Sequence, residues 1–338
     1  MQSLTVIPET KKFELVDGPV PKITRPDQVL IKVAYAGFYE SGLHLLEGNA
    51  DSERLFHFRH ELSGTIMDIG NEVKHFKKGD RVTVGPNAGC GSCLFCRSGR
   101  PYSCLLGSDS TIGTWASFVV VPVTRIYKVP DNVTLQQVLL TKPLSQLINA
   151  LQIAGPITVG MKILITGAGI LGSLWAQVLY HQGHRQVTVI DNHNKLDSLK
   201  RNNTGFTLTT RDELKKREKT SSSYYFDLVV ETSGDPSVME QVMSHLQKGG
   251  KLCCCQMASP NAEFSVYPFE VFMRELKIFS VNENCFSFQA GIRLIEAMGN
   301  RYLDYESLGI KIFPLEGYRE AVEAIKSGSV EKVVFSME

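Results

Sequence analysis

The sequence predicts an α/β fold in two parts, a β-rich, barrel-like portion and a doubly wound parallel sheet, and three observations carry that expectation. Small turn-forming residues cut the first third into short alternating segments. Beyond Pro143, apolar runs alternate with segments of helical period, the rhythm of βαβ units around a parallel sheet. A glycine-rich turn, ITGAGILG, lies where one such run meets a helical segment. At 338 residues the chain exceeds one ordinary domain, so two domains or one large one are expected.

In the first part, strands are expected over 28–35, 62–69, 81–84 and 116–121, and the N-terminal residues alternate in the same way. DIGNEV (68–73) and KKGDRV (77–82) supply the small residues that tight turns need. In the second part, buried strands are expected over 162–166, 187–191, 227–231 and 251–256. The tail adds a helix over 289–298, a strand over 310–314, an amphipathic helix AVEAIKSG ending at Gly328, and a strand over 331–335. The Lys-, Arg- and Ser-rich stretch from Arg211 to Ser223 reads as a solvated helix and loop.

Composition bounds the partners. Hydrophobic residues make up 43% of the chain, enough for a core, and 36 Lys and Arg against 35 Asp and Glu leave a net charge of +1. No global field then favours nucleic acid or an anionic membrane, and a small molecule is the default ligand. The start lacks the basic region and long apolar stretch of a secretory signal. The most apolar window, 162–180, contains a lysine and three glycines, so no membrane span is expected. Four of the eight cysteines fall between Cys90 and Cys104, Cys253 to Cys255 are consecutive, and Cys285 stands alone. That is no disulfide framework, and a reducing, cytoplasmic setting is expected.

Gly167, Gly169 and Gly172 have G-x-G-x-x-G spacing after an expected strand and before a helix expected near Ser173. The first glycine permits the tight turn, and the second lets backbone N–H groups of the turn, with Ile170 and Leu171, approach a pyrophosphate. The third allows close packing of helix on strand. Asp191 ends the next strand, where a carboxylate accepts hydrogen bonds from an adenosine ribose, which favours NAD. Lys195 and Arg201 lie close enough in sequence to meet a 2′-phosphate, so NADP stays open.

Cys90, Cys93, Cys96 and Cys104 follow C-x2-C-x2-C-x7-C spacing. Four thiolates make the closed tetrahedral shell of a structural zinc, one per chain, with no position left for water or substrate. An iron–sulfur cluster and metal-free or oxidised cysteines are the alternatives. Cys253 to Cys255 fall in an expected buried strand and read as small packing residues.

The β-rich start, the cysteine lobe, KKGDRV and the mid-chain glycine turn together resemble the zinc-containing alcohol, polyol and threonine dehydrogenases of the medium-chain dehydrogenase/reductase superfamily, over nearly the whole chain. The resemblance implies a GroES-like catalytic domain, 1–146 with 286–338, and a Rossmann dinucleotide-binding domain, 147–285, with the active site in the cleft between them. It also implies a homodimer or homotetramer.

In such enzymes a catalytic zinc is held by a Cys in a GICGSD-like segment, a His in GHE, and sometimes the Glu of that GHE or of a later EPL. Here the first segment is GFYESG, which puts Tyr39 at the cysteine and Gly42 at the aspartate, while Ser41 and His44 match. RHE keeps His60 and Glu61, but KPL puts Lys142 in place of the later glutamate. At about 4 Å and an effective dielectric of about 20, a pair of unit charges is worth roughly 4 kcal/mol. A divalent ion therefore loses about 8 kcal/mol of attraction through that one change and meets comparable repulsion if Lys142 stays charged and close.

The expected activity is NAD(H)-dependent hydride transfer, without catalytic zinc, to or from a small carbonyl or alcohol, an imine or an activated alkene. Tyr39 is the candidate proton donor, Lys142 would lower its pKa, and His60 or His44 would relay the proton. In the alternative, Tyr39 only fills the vacated metal space and bonds to Glu61 or His60. A catalytically silent nucleotide-binding protein and a zinc-dependent polyol or amino-alcohol dehydrogenase with rearranged ligands are the competing functions.

Overall fold

The computed structural model describes residues 1–7, 12–38, 61–86, 89–106, 115–200, 204–218, 225–259, 261–282 and 285–337. The chain divides into two compact units, Met1–Ser145 with Glu283–Gly299 and Ile310–Glu338, and Gln146–Asn282 with Asn300–Gly309. The two expected boundaries fall one and three residues earlier, and residues 300–309, expected with the first part, group with the second unit. Leu303 and Leu308 are buried, and the Tyr302 ring lies 6.2 Å from Tyr180 and 5.1 Å from His181.

In the first unit, β1 (Gln2–Ile7) and β2 (Lys12–Asp17) form an antiparallel pair. β3 (Gln28–Phe38) is the organising strand. It pairs with β4 (Leu62–Ile69), which pairs with β5 (Arg81–Val84). Helix α1 (Leu94–Arg97) sits in the cysteine lobe. β6 (Phe118–Pro122) also pairs with β3, and β7 (Ile126–Lys128) with β5. Ala116, expected in a strand, makes only an isolated bridge to Ser3. Helix α2 (Thr141–Ala154) carries the chain into the second unit.

That unit is a six-stranded, wholly parallel sheet. β8 (Ile163–Thr166) is buried at every residue, as a central strand covered on both faces must be. Helix α3 (Ile170–His181) follows it, then β9 (Val187–Ile190), α4 (His193–Lys200), β10 (Thr207–Thr209) and α5 (Arg211–Glu218). β11 (Phe226–Glu231), α6 (Pro236–Ser244), β12 (Leu246–Cys254), α7 (Pro268–Met273) and β13 (Lys277–Ser280) complete it. The strand order β10-β9-β8-β11-β12-β13 reverses direction between β8 and β11, the switch point where open α/β sheets bind ligands.

The returning segment gives α8 (Cys285–Met298), β14 (Ile310–Pro314), α9 (Tyr318–Lys326) and β15 (Lys332–Ser336). β15 pairs antiparallel with the end of β3, Val333 opposite Phe38, which explains why β3 runs three residues past its expected end. The two chain ends thus share one sheet. Phe13, Phe38, Trp115 and Phe335 pack beside that junction with ring centroids 5.1–5.8 Å apart, and Trp115 Nε1 donates to Gly37 O at 2.9 Å.

Other elements differ in extent from expectation. α3 starts at Ile170 rather than near Ser173, because Gly169 is extended and serves as N-cap, with Ser173 N bonded to Gly169 O at 2.9 Å. β12 starts at Leu246, which pairs with Phe226 ahead of a register shift. α8 starts at Cys285, four residues before the expected helix.

Candidate functional site

The nucleotide-type turn leaves β8 at Thr166. Gly167 takes φ of +96°, a conformation glycine adopts without strain. A side-chain carbon at Gly172 would sit 1.8 Å from the carbonyl oxygen of Gly167, so the first turn of α3 lies directly against the strand end. Asp191, just past β9, accepts from Ala168 N through Oδ2 and from Asn192 N through Oδ1, both at 2.6 Å. The carboxylate therefore braces the glycine turn at the strand end. Ile170 and Leu171 form the first turn of α3, so its free N–H groups face the same end.

The cysteine lobe assembles as its spacing implies. The sulfurs of Cys90, Cys93, Cys96 and Cys104 all lie within 4.8 Å of one another, and Cys90 Sγ is 3.9 Å from Cys96 Sγ. A tetrahedral zinc–sulfur shell with bonds of about 2.3 Å has sulfur–sulfur edges of about 3.8 Å. The donor set therefore fits zinc. Cys90 Sγ accepts from Ser92 Oγ and Cys93 N, both at 3.3 Å, which pulls its pKa down to about 5, whereas burial raises that of Cys96 to about 11. Gly89 keeps the lobe closed, because a side-chain carbon there would come within 2.5 Å of Cys96 Sγ.

Of the expected catalytic residues, Glu61 and Lys142 are described; Tyr39, Ser41, His44 and His60 lie outside the described residues, as does Arg201. Glu61 is 4% exposed and makes an ion pair with Lys332, Oε2 to Nζ at 2.5 Å. Gly37 makes room for it: a side-chain carbon there would fall 2.2 Å from Glu61 Oε2, and Gly37 N donates to Glu61 O at 2.8 Å. Lys332 is wholly buried. Desolvation holds its ammonium below the ordinary lysine range, Glu61 opposes that shift, and the charge of Lys142 adds to it. Lys142, itself buried, is thus close enough to be felt at the pair. Neither Lys332 nor Gly37 was expected from sequence. The available signal was a lysine opening the apolar strand KVVFS, since a buried ammonium needs a carboxylate.

Cys253 and Cys255 lie on one face of β12 and its continuation, their sulfurs 3.4 Å apart and buried, in keeping with a packing role. Among the described residues, no helix is long and apolar enough to cross a membrane.

Residues 25–131 match the family model of the alcohol dehydrogenase GroES-like domain, and residues 171–297 that of the zinc-binding dehydrogenases. L-threonine 3-dehydrogenase from Shewanella baltica is 27% identical over 347 residues, covering 99% of this chain and 99% of that one. Among solved structures, 2R,3R-butanediol dehydrogenase from Bacillus subtilis is similar with a TM-score of 0.83 and 20% identity, covering 100% of this chain and 99% of the other. A short chain alcohol dehydrogenase from E. coli CFT073, solved with NADH, has a TM-score of 0.85 at 21% identity, with 100% and 99% covered. At these identities the solved structures bear on the fold alone.

The contact between Gly172 and Gly167 sets an expectation for stability. Gly172→Ala should lose about 1–3 kcal/mol through overpacking, whereas Gly18→Ala, with nothing within 4 Å of the added carbon, should change little. Urea unfolding of both variants measures the difference, and equal midpoints would show that the turn is not as tight as described.

Proposed function

The chain belongs to the medium-chain dehydrogenase/reductase superfamily and is an NAD(P)-dependent oxidoreductase of that kind; we propose that it uses NAD(H) to move hydride to or from a small carbonyl or alcohol, an imine or an activated alkene, without a catalytic zinc. The charge around Glu61 carries this reading. Its carboxylate is already neutralised by Lys332, and the residue in the family's second carboxylate position is the buried cation Lys142. These groups do not fit a divalent ion. The four-cysteine lobe would hold one structural zinc, whose full shell leaves no open position for substrate.

The bound nicotinamide supplies or accepts the hydride. For a carbonyl or alcohol, Tyr39 donates the proton to the substrate oxygen as reduction proceeds and takes it back in oxidation; for an imine or an alkene the proton goes to nitrogen or carbon. An ammonium such as Lys142 nearby stabilises the phenolate and brings the phenol down from its ordinary pKa of about 10. His60 or His44 passes the proton onward, with Ser41 in the same segment. Asp191 supports NAD over NADP, since its carboxylate accepts ribose hydroxyls and repels a 2′-phosphate. The name of the relative, a threonine dehydrogenase, supports a small hydroxylated substrate or its carbonyl product.

Self-association is part of the same reading, as a homodimer or homotetramer. β13 is an edge strand, and beside it Tyr267, Phe269, Phe272 and Met273 are more than half exposed. An unpaired sheet edge flanked by apolar side chains favours pairing with another copy. Light scattering is expected to return a multiple of the single-chain mass, and the mass of one chain would reject it. The cysteine usage supports a cytoplasmic setting.

Metal analysis of the purified protein is expected to give one zinc per chain. With NADH oxidation followed over a panel of carbonyl, imine and enone compounds, Tyr39→Phe should cut turnover by about 100-fold or more and leave NADH affinity in place. Two zincs per chain would reject the zinc-free centre, and undiminished turnover would reject the phenol.

A further inference from the structure

Glu231, the last residue of β11, is 0% exposed, and an ionised carboxylate tolerates such a place only if donors saturate it. They do. Oε1 accepts from Ser233 N at 2.6 Å, Gly234 N at 3.1 Å, Thr166 Oγ1 at 3.2 Å and the Ser233 hydroxyl. Oε2 accepts from Gly234 N at 3.2 Å. These donors come from two separate pieces of backbone. Thr166 ends β8 and immediately precedes Gly167, while Ser233 and Gly234 form the turn after β11. Glu231 and Thr166 are register partners across the β8–β11 boundary, where the strand order reverses.

The two pieces also touch directly. Thr232 Oγ1 donates to Thr166 O at 2.6 Å, and side-chain carbons placed at Gly167 and Gly172 would lie 2.8 and 3.1 Å from that hydroxyl oxygen. On its far side the turn is backed by the segment that follows β12: a side-chain carbon at Gly234, which has φ of +69°, would fall 2.8 Å from Met257 O, and Cys255 N donates to Glu231 O at 2.8 Å. The segment 232–234 is therefore the second wall of the crevice whose first wall is the glycine turn, and one carboxylate is bonded to both.

We propose that Glu231 is a positioning residue for the dinucleotide, holding the 232–234 wall at a fixed distance from Gly167–Gly169 so that the cofactor enters a preformed crevice. This rests on the nicotinamide-nucleotide reading of the same crevice. Binding to a preformed site spares the ordering of the wall, which otherwise weakens the observed affinity. A glutamine at 231 keeps the shape but turns an NH2 group toward N–H donors, so the wall loses an acceptor and is free to shift.

Burial also raises the pKa of the Glu231 carboxyl, and its hydrogen bonds oppose the shift. The groups facing it do not confuse a titration. Burial pushes the Cys254 thiol up to about 11, the thiol of Cys255 is raised by its contact with Cys253 and by burial, and Asp235 is held below the ordinary carboxylate range by Ser237. Thr166, Thr232 and Ser233 do not ionise.

The test is calorimetric titration of NAD+ into wild type, Glu231→Gln and Glu231→Asp, each checked for folding by circular dichroism, from pH 8 to pH 5. Glu231→Gln should raise Kd by about tenfold or more at pH 8. As pH falls and the wild-type carboxyl takes up its proton, the wild type should weaken while the glutamine variant does not follow, so their ratio narrows. If Glu231→Gln does not fold, Glu231→Asp carries the comparison, with a smaller rise in Kd and the same narrowing. A folded variant with wild-type Kd, or a ratio constant across pH, overturns the positioning role while leaving the nucleotide reading intact. Failure of the wild type to bind NAD+ overturns that reading, and the proposal with it.

Discussion

A carboxylate and an ammonium that have both left water must stay together, and the pair formed by Glu61 and Lys332 imposes that condition on the first unit. It links a residue at the head of β4 with one on the last strand, next to the junction where β15 pairs with β3. Gly37 on β3 must lack a side chain for the carboxylate to pass. Removing either partner would leave an uncompensated buried charge, an event that typically costs about 3–5 kcal/mol. The same pair bears on the proposed chemistry. A carboxylate committed to a lysine, with a second lysine adding its charge, makes a poor seat for a dication, which is why the proposed proton donor is a phenol.

On the proposed reading, the second unit solves a different problem, the approach of a dianionic pyrophosphate to a protein surface, with the backbone N–H groups of a glycine turn. Gly167 and Gly172 bring the start of α3 onto the strand end, Asp191 braces Ala168, and Glu231 ties the opposing turn to Thr166. Both carboxylates accept from N–H or hydroxyl donors of the walls, which fixes them in place. The cysteine lobe is a third, separate construction, in which N–H and O–H donors to Cys90 prepare a thiolate for the metal.

Most of this architecture was legible in the sequence where a local pattern has a single geometric meaning. Alternation and fully apolar runs gave the central strands, and the spacing of the glycines and the four cysteines gave the turn and the lobe. What escaped depends on partners distant in sequence. Lys332 looks like an ordinary strand residue until Glu61, 271 positions away, is found against it. Glu231 reads as a polar strand end until Thr166 and Ser233 close around it. Boundaries slipped for related reasons: α3 starts early because an extended glycine acts as its cap, and β3 runs long because β15 arrives to pair with it. Residues 300–309 join the second unit through rings that periodicity does not report.

The central claim is that the metal in this protein is confined to the cysteine lobe and that the reaction centre is organic. X-ray absorption at the zinc edge, on protein as purified, examines it directly, because the first shell reports ligand type as well as number. Sulfur alone, four atoms at about 2.3 Å, is the predicted shell. A resolved contribution from nitrogen or oxygen at about 2.0–2.1 Å would place an ion beside imidazole or carboxylate and contradict the account.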